Sequence, residues 1–260
     1  MNTRAPAVAG YFYDADTDRL RHDVRRLLDA QSAALAVLPR ALIVPHAGYI
    51  YSGATAACAY KCLLLDPGQV NRVVVIGPAH RVYVDAMAIP SVDYFATPLG
   101  DIPLDDDALT KIHALPGVRV FDEAHRQEHS LEVQLPFLQT VLNRFTLVPV
   151  VVGGAAPEMV AAVIDALATD PHTLVVISSD LSHFLDYDTA RRTDAATCEC
   201  ILHKATSLHG EQACGAAAIN GLMASSWSRD LHVDLLQACN SGDTAGQRDR
   251  VVGYASFALH

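Results

Sequence analysis

Short blocks of apolar, largely β-branched residues alternate along this chain with longer segments whose apolar positions recur every three or four residues. The first pattern predicts strands buried on both faces, and the second predicts amphipathic helices. Strands are expected over residues 41–45, 72–77, 145–153, 173–179 and 251–259. Helices are expected over 17–30, 54–65, 106–114, 131–142, 157–168, 189–202 and a region around 212–225. Such alternation is the signature of an α/β fold, a mostly parallel central sheet flanked by helices. In the fourth helix Leu131, Leu135, Leu138 and Leu142 form one core-facing stripe. Ser130 suits its N-cap and Pro136 is expected to bend it early. The stretch 91–103, rich in proline, reads as an ordered connection rather than a strand pair. No linker, repeat or low-complexity tract interrupts the pattern, so residues 1–260 are expected to form a single domain.

Composition narrows the class. A chain of 260 residues, 51% of them hydrophobic, is ample for a full core. None of its apolar blocks approaches the roughly 18–20 residues that span a bilayer. The first residues also lack the apolar region of a signal peptide, so a cytoplasmic protein without membrane contact is expected. Nineteen basic against 29 acidic side chains give a net charge of −10, which argues against a nucleic-acid partner. Six unevenly spaced cysteines do not form a disulfide framework. Phosphate-loop, dinucleotide-fingerprint, nucleophile-elbow, HExxH and CxxC motifs are missing from the sequence.

Twelve histidines change the picture, because several are placed rather than scattered. The block ALIVPHAGYIYSG runs from a strand into His46, RVVVIGPAHR into His80, and TLVVISSDLSHF into Asp180 and His183. In a parallel sheet the carboxyl ends of the strands share one edge, where ligands bind. His129, between Glu128 and Ser130 and just before a helix start, is a fourth candidate for that crevice. One such histidine alone would be an ordinary structural residue; three strand ends carrying one are not. Neutral imidazole is a common ligand of iron, copper and zinc, with Asp180, Glu132 or a thiolate as the anionic partner. Among the cysteines, Cys214 precedes a glycine and small residues, where backbone can approach a ligand closely.

Taken together, these blocks resemble the Memo-like family, whose prokaryotic branch is called AmmeMemoRadiSam system protein B. The matching segments are PAVAGYFY at 6–13, VPHAGYIYSG at 44–53, VVIGPAHR at 74–81, EHSLEVQLPFL at 128–138, VPVVVG at 148–153, ISSDLSHF at 177–184 and the pair Cys214–Gly215. The resemblance implies a fold shared with class III extradiol dioxygenases, which hold iron with two histidines and a glutamate. It places His46 and His80 as metal ligands and Cys214 as the third, with cysteine in place of the dioxygenase glutamate. It gives His183 and His129 acid–base roles, oriented by Asp180 and Glu132. Iron is the favoured metal, with copper and zinc as alternatives suited to a thiolate.

Three functions follow as expectations. The first is a metal-dependent redox protein acting on a small molecule or peptide in the crevice, with His183 as acid or base and His129 stabilising a bound oxyanion. The second is a Cys214/His hydrolase or transferase. The third is a non-enzymatic binding or scaffold protein that uses the same crevice for a peptide or a partner enzyme. The family name suggests a radical-enzyme system as the setting.

Overall fold

A computed structural model describes residues 2–32 and 35–260. In chain order the elements are β1 (Thr3–Arg4), α1 (Thr17–Asp29), β2 (Ala41–Val44), α2 (Tyr49–Lys61), β3 (Arg72–Pro78), β4 (Met87–Ile89), β5 (Tyr94–Thr97) and β6 (Gly100–Pro103). They continue with α3 (Asp106–His113), β7 (Val118–Val120), α4 (Asp122–Arg126), α5 (Leu135–Val141), β8 (Thr146–Val152), α6 (Pro157–Leu167), β9 (Thr173–Ser178) and β10 (His183–Leu185). The last are α7 (Tyr187–Leu202), α8 (Ala216–Ala224), β11 (Val233–Asn240) and β12 (Val251–Leu259).

The centre of the large sheet is the parallel run β2-β9-β3-β8. Its apolar strands are buried on both faces, as their unbroken β-branched sequences require. Helices α1, α2 and α5 pack together, with α2 lying on β2, while α6 and α8 pack together with α8 on β3 and β9. The flanks bring in antiparallel pairs, β12 against β2, β11 and β10 against β12, and β4 against β8, while β7 runs parallel to β4 at the edge. The sheet is therefore mixed, with the expected parallel strands at its heart.

Local chemistry explains where the elements start. Asp16 accepts the backbone N–H groups of Asp18 and Arg19, opening α1, which then buries Leu20, Val24 and Leu28 as one stripe. The region expected as one helix over 131–142 is instead a 3₁₀ turn, Glu132–Gln134, followed by the shorter α5. Pro136 lies in the first turn of α5, where its missing N–H costs nothing, so it starts the helix rather than bending it. Ser130 is not an N-cap; its hydroxyl donates to the Pro78 carbonyl at 2.9 Å.

Two expectations about strands are corrected. Residues 91–103 contain the hairpin β5–β6, which joins β1 in a small three-stranded sheet. Its turn ends at Gly100, whose φ of +123° suits only glycine, and Pro103 closes the edge strand, where no N–H is needed. Strand β11 escaped the pattern because it is half exposed and its register shifts between Leu235 and Gln237, which breaks the alternation.

Candidate metal centre

His46 lies two residues beyond β2 and His80 two beyond β3, while Asp180 follows β9, which lies between them. Three adjacent parallel strands thus deliver these residues to one edge. His129 arrives from the loop between α4 and the Glu132–Gln134 turn. The rings of His46, His80 and His129 form a triangle, with centroids 5.2 Å (46–80), 5.5 Å (46–129) and 4.7 Å (80–129) apart. One nitrogen from each lies within 4.8 Å of the other two, a spacing that could hold a metal ion.

The hydrogen bonds behind the rings fix which nitrogen faces the others. Ser178 Oγ lies 2.6 Å from the Ser130 carbonyl, which can only accept, so the single hydroxyl hydrogen goes there. Gln134 Nε2 donates to the same Oγ at 2.8 Å and to the Pro45 carbonyl at 3.0 Å, while its Oε1 accepts from Tyr60. At 2.9 Å from that oxygen, His46 Nδ1 must be the donor. The Nε2 of His46 is left unprotonated, an acceptor whose hydrogen-bond partner is the Cys214 thiol, with Sγ at 3.3 Å. His80 is set in the same way: its Nδ1 donates to Glu128 Oε1 at 2.9 Å and its backbone N–H to Oε2 at 2.6 Å. Glu128 is a buried carboxylate, and bonds from His80 and the Ser130 amide hold its pKa down to about 2 despite burial. Both imidazoles therefore present Nε2 to the site, each held from behind, as metal-binding histidines are.

Burial holds His46 well below the ordinary histidine pKa and lowers His129 to about 4, so both are neutral imidazoles at pH 7. His129 Nδ1 lies 3.4 Å from Glu128 Oε1, and no hydrogen bond ends on that buried atom. A buried Nδ1 without a hydrogen bond, on a ring that converges with two other imidazoles, is an arrangement a cation would satisfy, and the three-imidazole donor set fits one.

The other expected residues take different places. Cys214 Sγ lies 3.3 Å from His46 Nε2 and receives the Asp180 N–H at 3.3 Å, but it stands outside the converging triad. Burial, with the Asp180 carboxylate, pushes its thiol up to about 12. Asp180 orients His46 through the backbone, accepting its N–H at 2.7 Å rather than touching the ring. Burial raises the Asp180 carboxyl to about 7. Glu132 does not orient the histidines by hydrogen bonding; it is spent on Arg4, Tyr13 and the backbone of Ala7 and Val8. The orienting carboxylate is its neighbour Glu128. His183 begins β10, its pKa lowered by burial, and lies outside the three-ring cluster. It is followed by Phe184, exposed and at φ +62°.

Glu128, Ser178 and Gln134 stand in the site without any motif in the sequence to mark their roles. Glu128 was visible beside His129, but only its contact with His80, 48 residues away, reveals its part.

Proteins described as MEMO1 family proteins are similar to this chain along nearly their whole lengths. The Aquifex aeolicus protein is 33% identical over 98% of both chains, and the Methanopyrus kandleri protein 34% identical over 98% of both. The Sulfolobus acidocaldarius protein is 32% identical over 97% of this chain and 98% of its own. An uncharacterized Escherichia coli K12 protein of known crystal structure shares the fold at 13% identity, with a TM-score of 0.53 over 86% of this chain and all of its own. Among the described residues no helix is long and apolar enough to cross a membrane. The Memo-like protein family matches residues 4–258, and the chain belongs to that family.

Proposed function

We propose that this chain is a metal-binding redox protein, with His46, His80 and His129 as the imidazole donors and the Cys214 thiol as a soft donor beside His46. The observation that carries the reading is the convergence of three imidazoles, two of them with Nε2 bared by fixed partners behind the ring. The donor set suits iron first and copper or zinc next; bound iron or copper would supply one-electron chemistry with dioxygen or an organic ligand, and zinc only Lewis acidity. The chain's own part is to keep His46 and His129 neutral and His46 and His80 oriented, to bind a small molecule or peptide in the crevice, and to offer His183 as the proton carrier at the rim. A radical-enzyme system is the proposed setting.

The hydrolase reading has less support. A reactive thiolate beside His46 would need an imidazolium partner, and burial opposes charge on both groups.

Anaerobic loading with iron(II), copper(I) or zinc, followed by oxygen-electrode measurements, tests the redox part. Uptake by the iron or copper form above that of the free metal supports it. Equal uptake by all three forms removes it and leaves a binding protein.

A further inference from the structure

The segment 6–13 stands out in the sequence, yet none of the metal-centre residues lies in it. Its anchor is a buried clamp. Arg4, 7% exposed, lies over the Phe95 ring at 5.0 Å and donates from Nη1 to Glu132 Oε2 at 2.5 Å. Its other nitrogens reach the loop that carries the site. Nε donates to the His125 carbonyl and Nη2 to the Glu128 carbonyl, each at 2.7 Å. The Glu132 carboxylate then takes the N–H groups of Ala7 and Val8 at 2.7 and 3.0 Å and the Tyr13 hydroxyl at 2.6 Å. At the far end of the segment, Phe12 packs on the His129 ring with centroids 4.8 Å apart.

We infer that Arg4 is a positioning residue of the metal centre: by gripping the His125 and Glu128 carbonyls, it sets the Glu128 carboxylate that aims His80, and it ties the N-terminal segment to the site. This rests on the metal-binding reading above. The geometry favours it over simple tethering of a terminus. Tethering needs only the Glu132 ion pair, whereas two of the three guanidinium contacts are spent on the 125–128 backbone. A planar fork is needed to reach all three acceptors, which a lysine ammonium cannot reproduce.

The test measures zinc and iron(II) dissociation constants for the full chain, for Arg4→Lys and Arg4→Ala, and for Leu167→Ala. Leu167 is a buried residue at the C-terminal end of α6, away from the strand ends that carry the site. Weakening by about 10–100-fold in both Arg4 variants is expected, with Leu167→Ala binding like the parent. Millimolar guanidinium should restore affinity to Arg4→Ala, entering through the cavity of about 430 Å³ that Arg4 and His125 line. Unchanged affinity in folded Arg4 variants overturns the inference alone. A parent chain that binds neither metal overturns the metal-binding reading and this inference together. Should the variants not fold, hydrogen exchange on the unaltered chain decides. Metal loading must slow exchange at Ala7 and Val8, whose amides report the clamp, because coupling between sites is reciprocal. Protection confined to 128–130 overturns it.

Discussion

Glu128 grips His80 at two points, one carboxylate oxygen taking the ring Nδ1–H at 2.9 Å and the other the backbone N–H at 2.6 Å. The same Oε1 accepts the amides of His129 and Ser130, each at 2.9 Å, so one buried side chain sets both the ring and the loop facing it. Exchanging this carboxylate for a carboxamide would turn an N–H₂ group toward partners that can only donate. Glu128→Gln is expected to weaken metal binding by about 10–100-fold. Competition against a calibrated chelator measures this, and parent-like affinity would show that His80 needs no such support.

Ser178 holds the tautomer of His46. In Ser178→Ala the Ser130 carbonyl and the His46 Nδ1–H lose their partner and Gln134 Nε2 loses one of its two acceptors, at a cost of about 1–3 kcal/mol. Urea denaturation of the metal-free protein reads that loss. In the unaltered protein, nitrogen NMR of His46 should show a protonated Nδ1 and a bare Nε2. The opposite tautomer would contradict the hydrogen-bond assignment.

Cys214 should be inert as a nucleophile. With its thiol pushed up to about 12 by burial and Asp180, the thiolate is scarce at neutral pH. Iodoacetamide at pH 7.5, followed by peptide mass mapping of the folded metal-free chain, should leave Cys214 unmodified. Rapid stoichiometric labelling there would revive the hydrolase reading.

His125 gives the fold a pH dependence of predictable sign. It is buried with its Nε2 donating to the Ala88 carbonyl at 3.0 Å, and burial lowers its pKa from 6.5 to about 4. Between those values the unfolded chain binds the proton and the folded chain does not. Its contribution is therefore whole above the unfolded value and is lost as the pH falls toward the folded one. His125→Gln should lose about 3 kcal/mol less stability than the parent between pH 7 and pH 4. The opposing contribution of Asp180, raised to about 7 by burial, is common to both proteins and drops out of the difference. Identical pH profiles in chemical denaturation would contradict the account.

Much of this was legible in the chain. Apolar β-branched blocks located the parallel centre of the sheet, and the rule that parallel strands end together brought His46, His80 and Asp180 to one edge. The hairpin β5–β6 and the edge strand β11 were not legible, because proline, glycine and a register shift erase a two-residue alternation. Within the site, residue type alone could not separate Glu128 from Glu132. Both sit near His129 in sequence, yet one faces His80 and the other faces Arg4. Nor could it show that His129 converges with the two expected ligands while Cys214 stands beside His46. Those distinctions depend on contacts between residues many tens of positions apart.

The central claim is a metal held between His46, His80 and His129. Elemental analysis of protein loaded and desalted anaerobically tests it most directly, on the parent chain and on His46→Ala, His80→Ala, His129→Ala and Cys214→Ala. Close to one ion per parent chain is expected, with a severe loss in each histidine variant and with Cys214→Ala retaining the ion at lower affinity. A metal-free parent, or undiminished metal in the folded histidine variants, would contradict that claim.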